Sequence, residues 1–223
     1  MLLWARKNEI NMGIIRPIGE MYDNAVRLKG LENFLKAWEL SIIFKQIQEY
    51  FGNRKDISIL DFGVGVSPFG AYLNHIGYEF ITCLDMEAGW HPEINQGIYN
   101  KKHNACVKYI KTDVTKGHNE EYDVIFSASV LEHIKDKGQR KVMQILSNCL
   151  KPGGLFIHVA DYDRGINFKK LIDSCSIFIF YKPEETPGCE EFKLPPKYAW
   201  MEWREKKRGW ISRIAFFNEK KDG

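Results

Sequence analysis

The apolar positions take on a helical period from Leu31. Leu31, Phe34, Leu35, Trp38, Ile42, Ile47 and Phe51 share one face, and Gly52 supplies a stop. Such a helix either packs on a sheet or serves as a lid that shapes a substrate pocket. Residues 1–30, with scattered glycines, give no clear period. Beyond Gly52, short apolar runs alternate with helical segments. Ile57, Ile59, Leu60 and Phe62 make the run of a central parallel strand over 57–62. A helix over about 68–76 follows, closed by Gly77. Tyr78 to Leu84 is a second strand, ending at Asp85, and 86–106 supports only a weak helix. Val107 to Lys111 is a third strand, ending near Asp113, and Tyr122 to Phe126 a fourth. A helix over about 137–150 then meets Lys151-Pro152-Gly153-Gly154, read as a helix stop and turn. Leu155 to Ala160 is a fifth strand, and Phe168 to Cys175 is helical.

The carboxy end changes character. Residues 181–197 hold four prolines and several acids, the pattern of a long loop, and such a loop is a candidate part of a substrate pocket. Tyr198 to Trp203 and Trp210 to Asn218 flank Arg208-Gly209, a hairpin signal. The alternation predicts an α/β fold: a doubly wound, mostly parallel seven-stranded sheet with a C-terminal antiparallel hairpin and an N-terminal helical extension. The expected organisation is a single domain over 1–223, with 1–55 as the extension and 56–223 as the core.

Composition narrows the class without naming it. At 223 residues the chain is most simply one domain with a substantial core. A net charge of +3 neither demands nor excludes a nucleic-acid partner. The five cysteines are an odd number, widely spread, with no C-x-x-C. That spacing argues against a disulfide framework or a bound metal, and a reducing cytoplasm is expected. The amino end lacks the apolar core of a signal peptide, and Ile177 to Tyr181 is too short to span a bilayer, so no membrane partner is expected.

The candidate chemistry begins where the first strand ends in an acid and enters a glycine loop, Asp61-Phe62-Gly63-Val64-Gly65. Gly63 and Gly65 allow a sharp turn and a close approach of backbone to ligand. A dinucleotide fingerprint, G-x-G-x-x-G, would need a glycine at 68, and that residue is Pro68. An acid two residues before the first glycine repels a pyrophosphate and suits a cation. S-adenosylmethionine carries an ammonium and a sulfonium and no phosphate, so it is favoured over a nicotinamide or flavin cofactor.

Asp61, Asp85, Asp113 and Ser127 each fall at or just beyond the carboxyl end of a successive strand, the edge where such sheets bind ligands. Each Asp could instead be only the N-cap of the next helix. For S-adenosylmethionine, Gly63 and Gly65 would pass beside the methionine part, with Asp61 supporting the loop or its ammonium. Asp85 would accept from the ribose hydroxyls, and Met86 beside it is placed in the same site. Asp113 would accept from the adenine amino group, with Val114 packing on the ring. Ser127 and Ala128 are small and leave room.

These segments resemble a class I S-adenosylmethionine-dependent methyltransferase over residues 57–161. Ile59-Leu60-Asp61-Phe62-Gly63-Val64-Gly65 is similar to the family's first motif, and Asp85 to its ribose acid. Thr112-Asp113-Val114 is similar to its adenine site. Tyr122 to Ser127 followed by Val130-Leu131-Glu132-His133-Ile134 resembles its fourth motif, and Leu150 to Leu155 the lead into its fifth strand. Ser67 departs from the pattern, since many members have a third glycine there. The resemblance implies a Rossmann-like fold and methyl transfer by in-line attack of an acceptor nucleophile. It gives His133 a structural or pocket-lining role. His158, inside the fifth strand, reads as a core residue, and no catalytic base is assigned. The resemblance also bears on the acceptor. The Asn/Asp-Pro-Pro-aromatic motif and the Pro-Cys nucleophile of nucleic-acid methyltransferases are both missing at Ser127-Ala128-Ser129-Val130. A small-molecule acceptor is therefore expected. A non-catalytic cofactor-binding scaffold and an enzyme acting on RNA or protein are the alternatives.

Overall fold

A computed structural model describes residues 2–4, 11, 13–14, 16–18, 34–86, 92–161 and 213–219. The expected helix at 168–175, the loop at 181–197 and the first hairpin arm at 198–203 lie outside the described residues. The strands are β1 (Leu2–Trp4), β2 (Ser58–Phe62), β3 (Phe80–Asp85), β4 (Lys108–Lys111), β5 (Tyr122–Ala128), β6 (Leu150–Asp161) and β7 (Arg213–Glu219). The helices are α1 (Phe34–Phe51), α2 (Phe69–His75), α3 (Pro92–His103) and α4 (Asp136–Asn148).

The core of the sheet is five parallel strands in the spatial order β6-β5-β2-β3-β4. From β2 the chain steps outward to β3 and β4, then returns to place β5 on the other side of β2. This reversal parts the carboxyl ends of β2 and β5 and opens a crevice. β7 pairs antiparallel with β6, and β1 pairs antiparallel with β7.

Neighbouring residues of a strand point to opposite faces, and each face of this sheet has its own core. Ile59, Val124, Phe126 and Ile157 pack with Leu40, Ile43 and Ile47 of α1, Phe69 and Leu73 of α2 and Tyr99 of α3. Leu60, Ile125 and Phe156 pack on the other face with Val142, Met143 and Leu146 of α4. Helices on both faces explain why β2 is apolar at successive positions rather than alternating.

Two local expectations change. Helix α1 is buried nearly all round between residues 39 and 47, with Lys45 as the exposed position, instead of along a single stripe. The cause is a second covering layer: Ile14 and Ile18 are buried against the same core, and Asn11 N donates to Ser41 Oγ at 3.0 Å. The segment Lys151-Pro152-Gly153-Gly154 lies within β6 as a bulge and not as a separate turn. The register jumps from Tyr122↔Leu150 to Val124↔Leu155, so the β6 side carries extra residues. Gly153 takes φ +67°, and a Cβ at Gly154 would stand 2.8 Å from the Lys151 carbonyl, so the bulge needs both glycines. No helix among the described residues is long and apolar enough to cross a membrane.

Candidate functional site: a carboxylate-lined cleft at the sheet switch point

The loop after β2 is held from both sides. Gly63 N donates to the Leu84 carbonyl at 2.8 Å, which ties the loop to the end of β3. Gly63 has φ +74°, and a Cβ there would collide with Val130. Gly65 has φ +53° but faces open space, and its N–H donates to Asp85 Oδ2 at 2.9 Å. The two glycines therefore serve different needs. Gly63 lets the loop pass Val130, and Gly65 leaves a concave stretch of backbone uncovered. On the other side, α3 braces the loop: Tyr99 OH donates to the Val66 carbonyl at 2.8 Å and Gln96 Nε2 to the Ser67 carbonyl at 2.9 Å. Burial pushes the Tyr99 hydroxyl up to about 12, so it stays a donor throughout the physiological range. These braces come from a segment whose sequence supports only a weak helix.

A cavity of about 740 Å³ opens at the carboxyl ends of the strands. Asp61, Gly63, Gly65, Asp85, Met86, Asp113 and Val114 all line it. Ser127 does not. It is fully buried, and its hydroxyl is hydrogen-bonded to His158 Nδ1. Ser127 and His158 are a direct cross-strand pair between β5 and β6. Strand alternation puts them on the face of Ile125 and Phe156, while Phe126 and Ala128 look into the cavity. His158 is thus the core residue expected, with Phe156 edge-on at 4.2 Å, and burial lowers its pKa to about 3.

The acids differ in how they are held. Asp61 is 3% exposed at the end of β2. Asp85 braces the Gly65 amide, so the loop support expected of Asp61 is supplied at least in part from β3. Asp113 is both a cap and a wall residue: its Oδ1 accepts from Thr115 N at 2.9 Å and Thr115 Oγ1 at 2.7 Å. Those bonds hold its carboxyl below the usual range. Capping and lining are therefore compatible here. Among the described residues, the lining holds three aspartates and neither lysine nor arginine. That charge pattern repels phosphate and attracts a cation.

The lining also includes Leu40, Ser129, Val130, His133, Ile134 and Val142. His133 sits in a short 3-10 turn, Leu131–His133, whose carbonyls are anchored by Gln139: its Nε2 donates to Leu131 O at 2.9 Å and Ile134 O at 2.8 Å. This matches a pocket-lining place for His133. Ser129 takes φ +58° and donates through Oγ to Glu39 Oε1 at 2.8 Å. Glu39, on α1, is fully buried. No local motif marks it, because the contact joins residues 90 positions apart.

Comparison with known proteins decides the family. A family model described as a methyltransferase domain matches residues 36–210. The chain belongs to this methyltransferase family. Its fold is the Rossmann-like methyltransferase fold, and its cofactor is S-adenosylmethionine. No curated protein matches it in sequence. Among solved structures it is similar to NodS, an N-methyltransferase from Bradyrhizobium japonicum in complex with S-adenosyl-L-homocysteine. There the TM-score is 0.61 at 14% identity, over 94% of this chain and 99% of that one. It is also similar to the 1,6-didemethyltoxoflavin-N1-methyltransferase of Burkholderia thailandensis, with TM-score 0.60 at 14% identity over 98% of this chain and 92% of that one. TehB from Haemophilus influenzae matches with TM-score 0.57 at 18% identity, over 79% of this chain but only 61% of TehB. At such identities the likeness is one of fold. The methyltransferase's own cleft fits the cofactor on independent grounds. Gly65 leaves room where a side chain would obstruct a ligand, and the carboxylates suit a sulfonium and an ammonium.

Proposed function

We propose that this methyltransferase transfers a methyl group from S-adenosylmethionine to a small-molecule acceptor by in-line displacement. The observation that carries the proposal is the single cavity wall joining the uncovered Gly65 backbone to Asp61, Asp85 and Asp113. In this reading Gly63 and Gly65 lie along the methionine part and Asp61 faces its ammonium. Asp85 accepts from the ribose hydroxyls. Asp113 accepts from the adenine amino group, its Oδ2 taking no bond among the described residues, and buried Val114 packs on the ring. Met86, 62% exposed, covers the outer edge. Ser127 has no direct contact and acts only by filling the strand behind Ala128.

The size of the cavity supports a small acceptor. Ligand clefts span roughly 300–1,000 Å³, and this one is large enough for a nucleoside cofactor with a modest second molecule beside it. The neighbours named above include an N-methyltransferase and an enzyme with a bound small heterocycle, which fits the same reading. The cofactor supplies an activated methyl. The protein's part is to align the acceptor and exclude water. Orientation of this kind contributes roughly 7–11 kcal/mol of barrier lowering. Leu40, Val130, Ile134 and Val142 supply the apolar surface that dries the reacting centre.

The test is calorimetric titration of the full chain with S-adenosylhomocysteine and with NAD, alongside mass spectrometry of the protein as purified. The expected result is micromolar binding of S-adenosylhomocysteine and far weaker binding of NAD. Tighter NAD binding overturns the cofactor assignment. Cofactor binding with methyl transfer only to RNA or protein overturns the small-molecule acceptor.

A further inference from the structure

S-adenosylmethionine brings an anion into the cleft as well as cations, because its methionine part ends in a carboxylate. Three aspartates line the cavity, and no lysine or arginine among the described residues does. Among those residues, then, the carboxylate has to be met by neutral donors, or its desolvation goes uncompensated. The loop 63–67 is where such donors would stand, and most of its amides are spent. Gly63 N and Val64 N both donate to the Leu84 carbonyl, Ser67 N donates to the Val64 carbonyl, and Gly65 N donates to Asp85 Oδ2. Two donors of the loop remain. Val66 N–H makes no hydrogen bond among the described residues. Ser67 Oγ accepts from Phe69 N at 3.3 Å and donates to none of them. A hydroxyl that accepts still has its proton to give. Val66 and Ser67 both line the cavity.

The loop's own carbonyls, which would repel an anion, are engaged by α3. The Val66 carbonyl accepts from Tyr99 OH at 2.8 Å and the Ser67 carbonyl from Gln96 Nε2 at 2.9 Å. Ser67 is thereby held at its amide, its carbonyl and its Oγ, so little freedom is left for a ligand to freeze out. We propose that the Ser67 hydroxyl, with the Val66 amide beside it, receives the methionine carboxylate, and that Ser67 makes this site prefer a cofactor that keeps that group. This rests on the cofactor placement proposed above. A hydrogen bond to a carboxylate is charge-assisted and stronger than one between neutral groups. Glycine at 67, common in the family, has no hydroxyl to give. The competing role for Ser67 is to brace the start of α2 through Phe69 N alone, and the two roles differ in which ligand feels the loss.

The experiment is calorimetric titration of the full chain with S-adenosylhomocysteine and with S-adenosyl-3-thiopropylamine, which keeps the ammonium and lacks only the carboxylate. In Ser67→Ala, S-adenosylhomocysteine should bind roughly tenfold more weakly or worse, the equivalent of one lost hydrogen bond to a charged group. The decarboxylated analogue should bind as it does to the parent, so the ratio of the two dissociation constants rises by the same factor. Ser67→Thr keeps a hydroxyl and should keep the parent's ratio. Ser67 is not at positive φ, so alanine fits its backbone. Ser67→Gly should repeat the result and replaces Ser67→Ala if that variant fails to fold. Equal weakening of both ligands leaves Ser67 as a brace for α2 and overturns the proposal, as does unchanged S-adenosylhomocysteine affinity. A parent chain that does not bind S-adenosylhomocysteine defeats the cofactor reading instead.

Discussion

Replacing Asp85 separates its two jobs. Its Oδ2 accepts from Gly65 N at 2.9 Å, and the carboxylate faces the cavity where the ribose would lie. Asp85→Asn keeps a carbonyl oxygen for the Gly65 amide but turns a donor toward the hydroxyls. Asp85→Ala removes both. Hydrogen bonds to a charged group contribute about 1.5–3 kcal/mol, and every 1.4 kcal/mol is about tenfold in affinity. Both variants should therefore bind S-adenosylhomocysteine at least tenfold more weakly, and by a hundredfold or more if both hydroxyls bond to the carboxylate. They should part in stability. Asp85→Asn should melt close to the parent. Asp85→Ala, which leaves a loop amide without its partner, should lose about 1 kcal/mol, or roughly 2–4 °C for a domain of this size. Calorimetric titration gives the first quantity and scanning calorimetry the second. Unchanged affinity in folded Asp85→Ala would refute the ribose assignment and leave Asp85 as a brace for the loop alone.

Gly63→Ala, which meets Val130 in addition to adopting a strained φ, should destabilise the fold more than Gly65→Ala, where only the strain of roughly 1–2 kcal/mol applies. Gly65→Ala should in turn lose more cofactor affinity per degree of melting temperature lost, and the two titrations and melts compare them directly. Tyr99→Phe removes the bond to the Val66 carbonyl without touching the cavity, so S-adenosylhomocysteine should bind a few-fold more weakly, about 1 kcal/mol. Ser127→Ala should cost about 1–3 kcal/mol of stability by stripping the bond to His158 Nδ1 while titration shows unchanged cofactor affinity. His158 stays neutral in the fold, with its pKa depressed to about 3 by burial, whereas the unfolded chain protonates near the ordinary 6.5. The unfolded state thus binds the extra proton, and stability that is complete above about 6.5 is lost as pH falls toward 3. A melting series over that window should show a shallower slope in His158→Gln.

The gathering of Asp61, Gly63, Gly65, Asp85 and Asp113 at one cavity was legible in the chain because it is local. The strand 57–62, the two glycines and an acid after each following strand are short-range patterns, and the sheet edge gathers them without further help. Ser127 lies outside that lining for an equally local reason that strand spacing could have exposed. It shares parity with the core residue Ile125, not with Ala128, and so points to the far face. Other features were not legible because distant contacts decide them. The bulge at Lys151–Gly154 depends on β5 lying alongside, with the Asp123 carbonyl 3.0 Å from where a Gly154 Cβ would stand. The all-round burial of α1 depends on residues 11–18, whose sequence has no period of its own. Glu39 has meaning only once Ser129 is brought to it across the fold.

This division has a physical basis in the cleft's charge. Three carboxylates around one cavity repel each other, and the fold offsets that with braces. The Gly65 amide holds Asp85, and the Thr115 amide and hydroxyl hold Asp113. These bonds orient the Asp85 and Asp113 carboxylates before any ligand arrives, so less reorganisation is left for binding. What they do not remove is the net negative field, and a cation entering the cleft removes it. The same field that admits a sulfonium also meets the acceptor, and no described lysine or arginine lines the cavity. An acceptor that gains positive charge during the reaction is stabilised as the charge develops, whereas the sulfonium loses its charge in the same step. The cleft's field is therefore retained from reactants to products when nitrogen is the nucleophile. It works against the reaction when the acceptor begins as an anion and is neutralised.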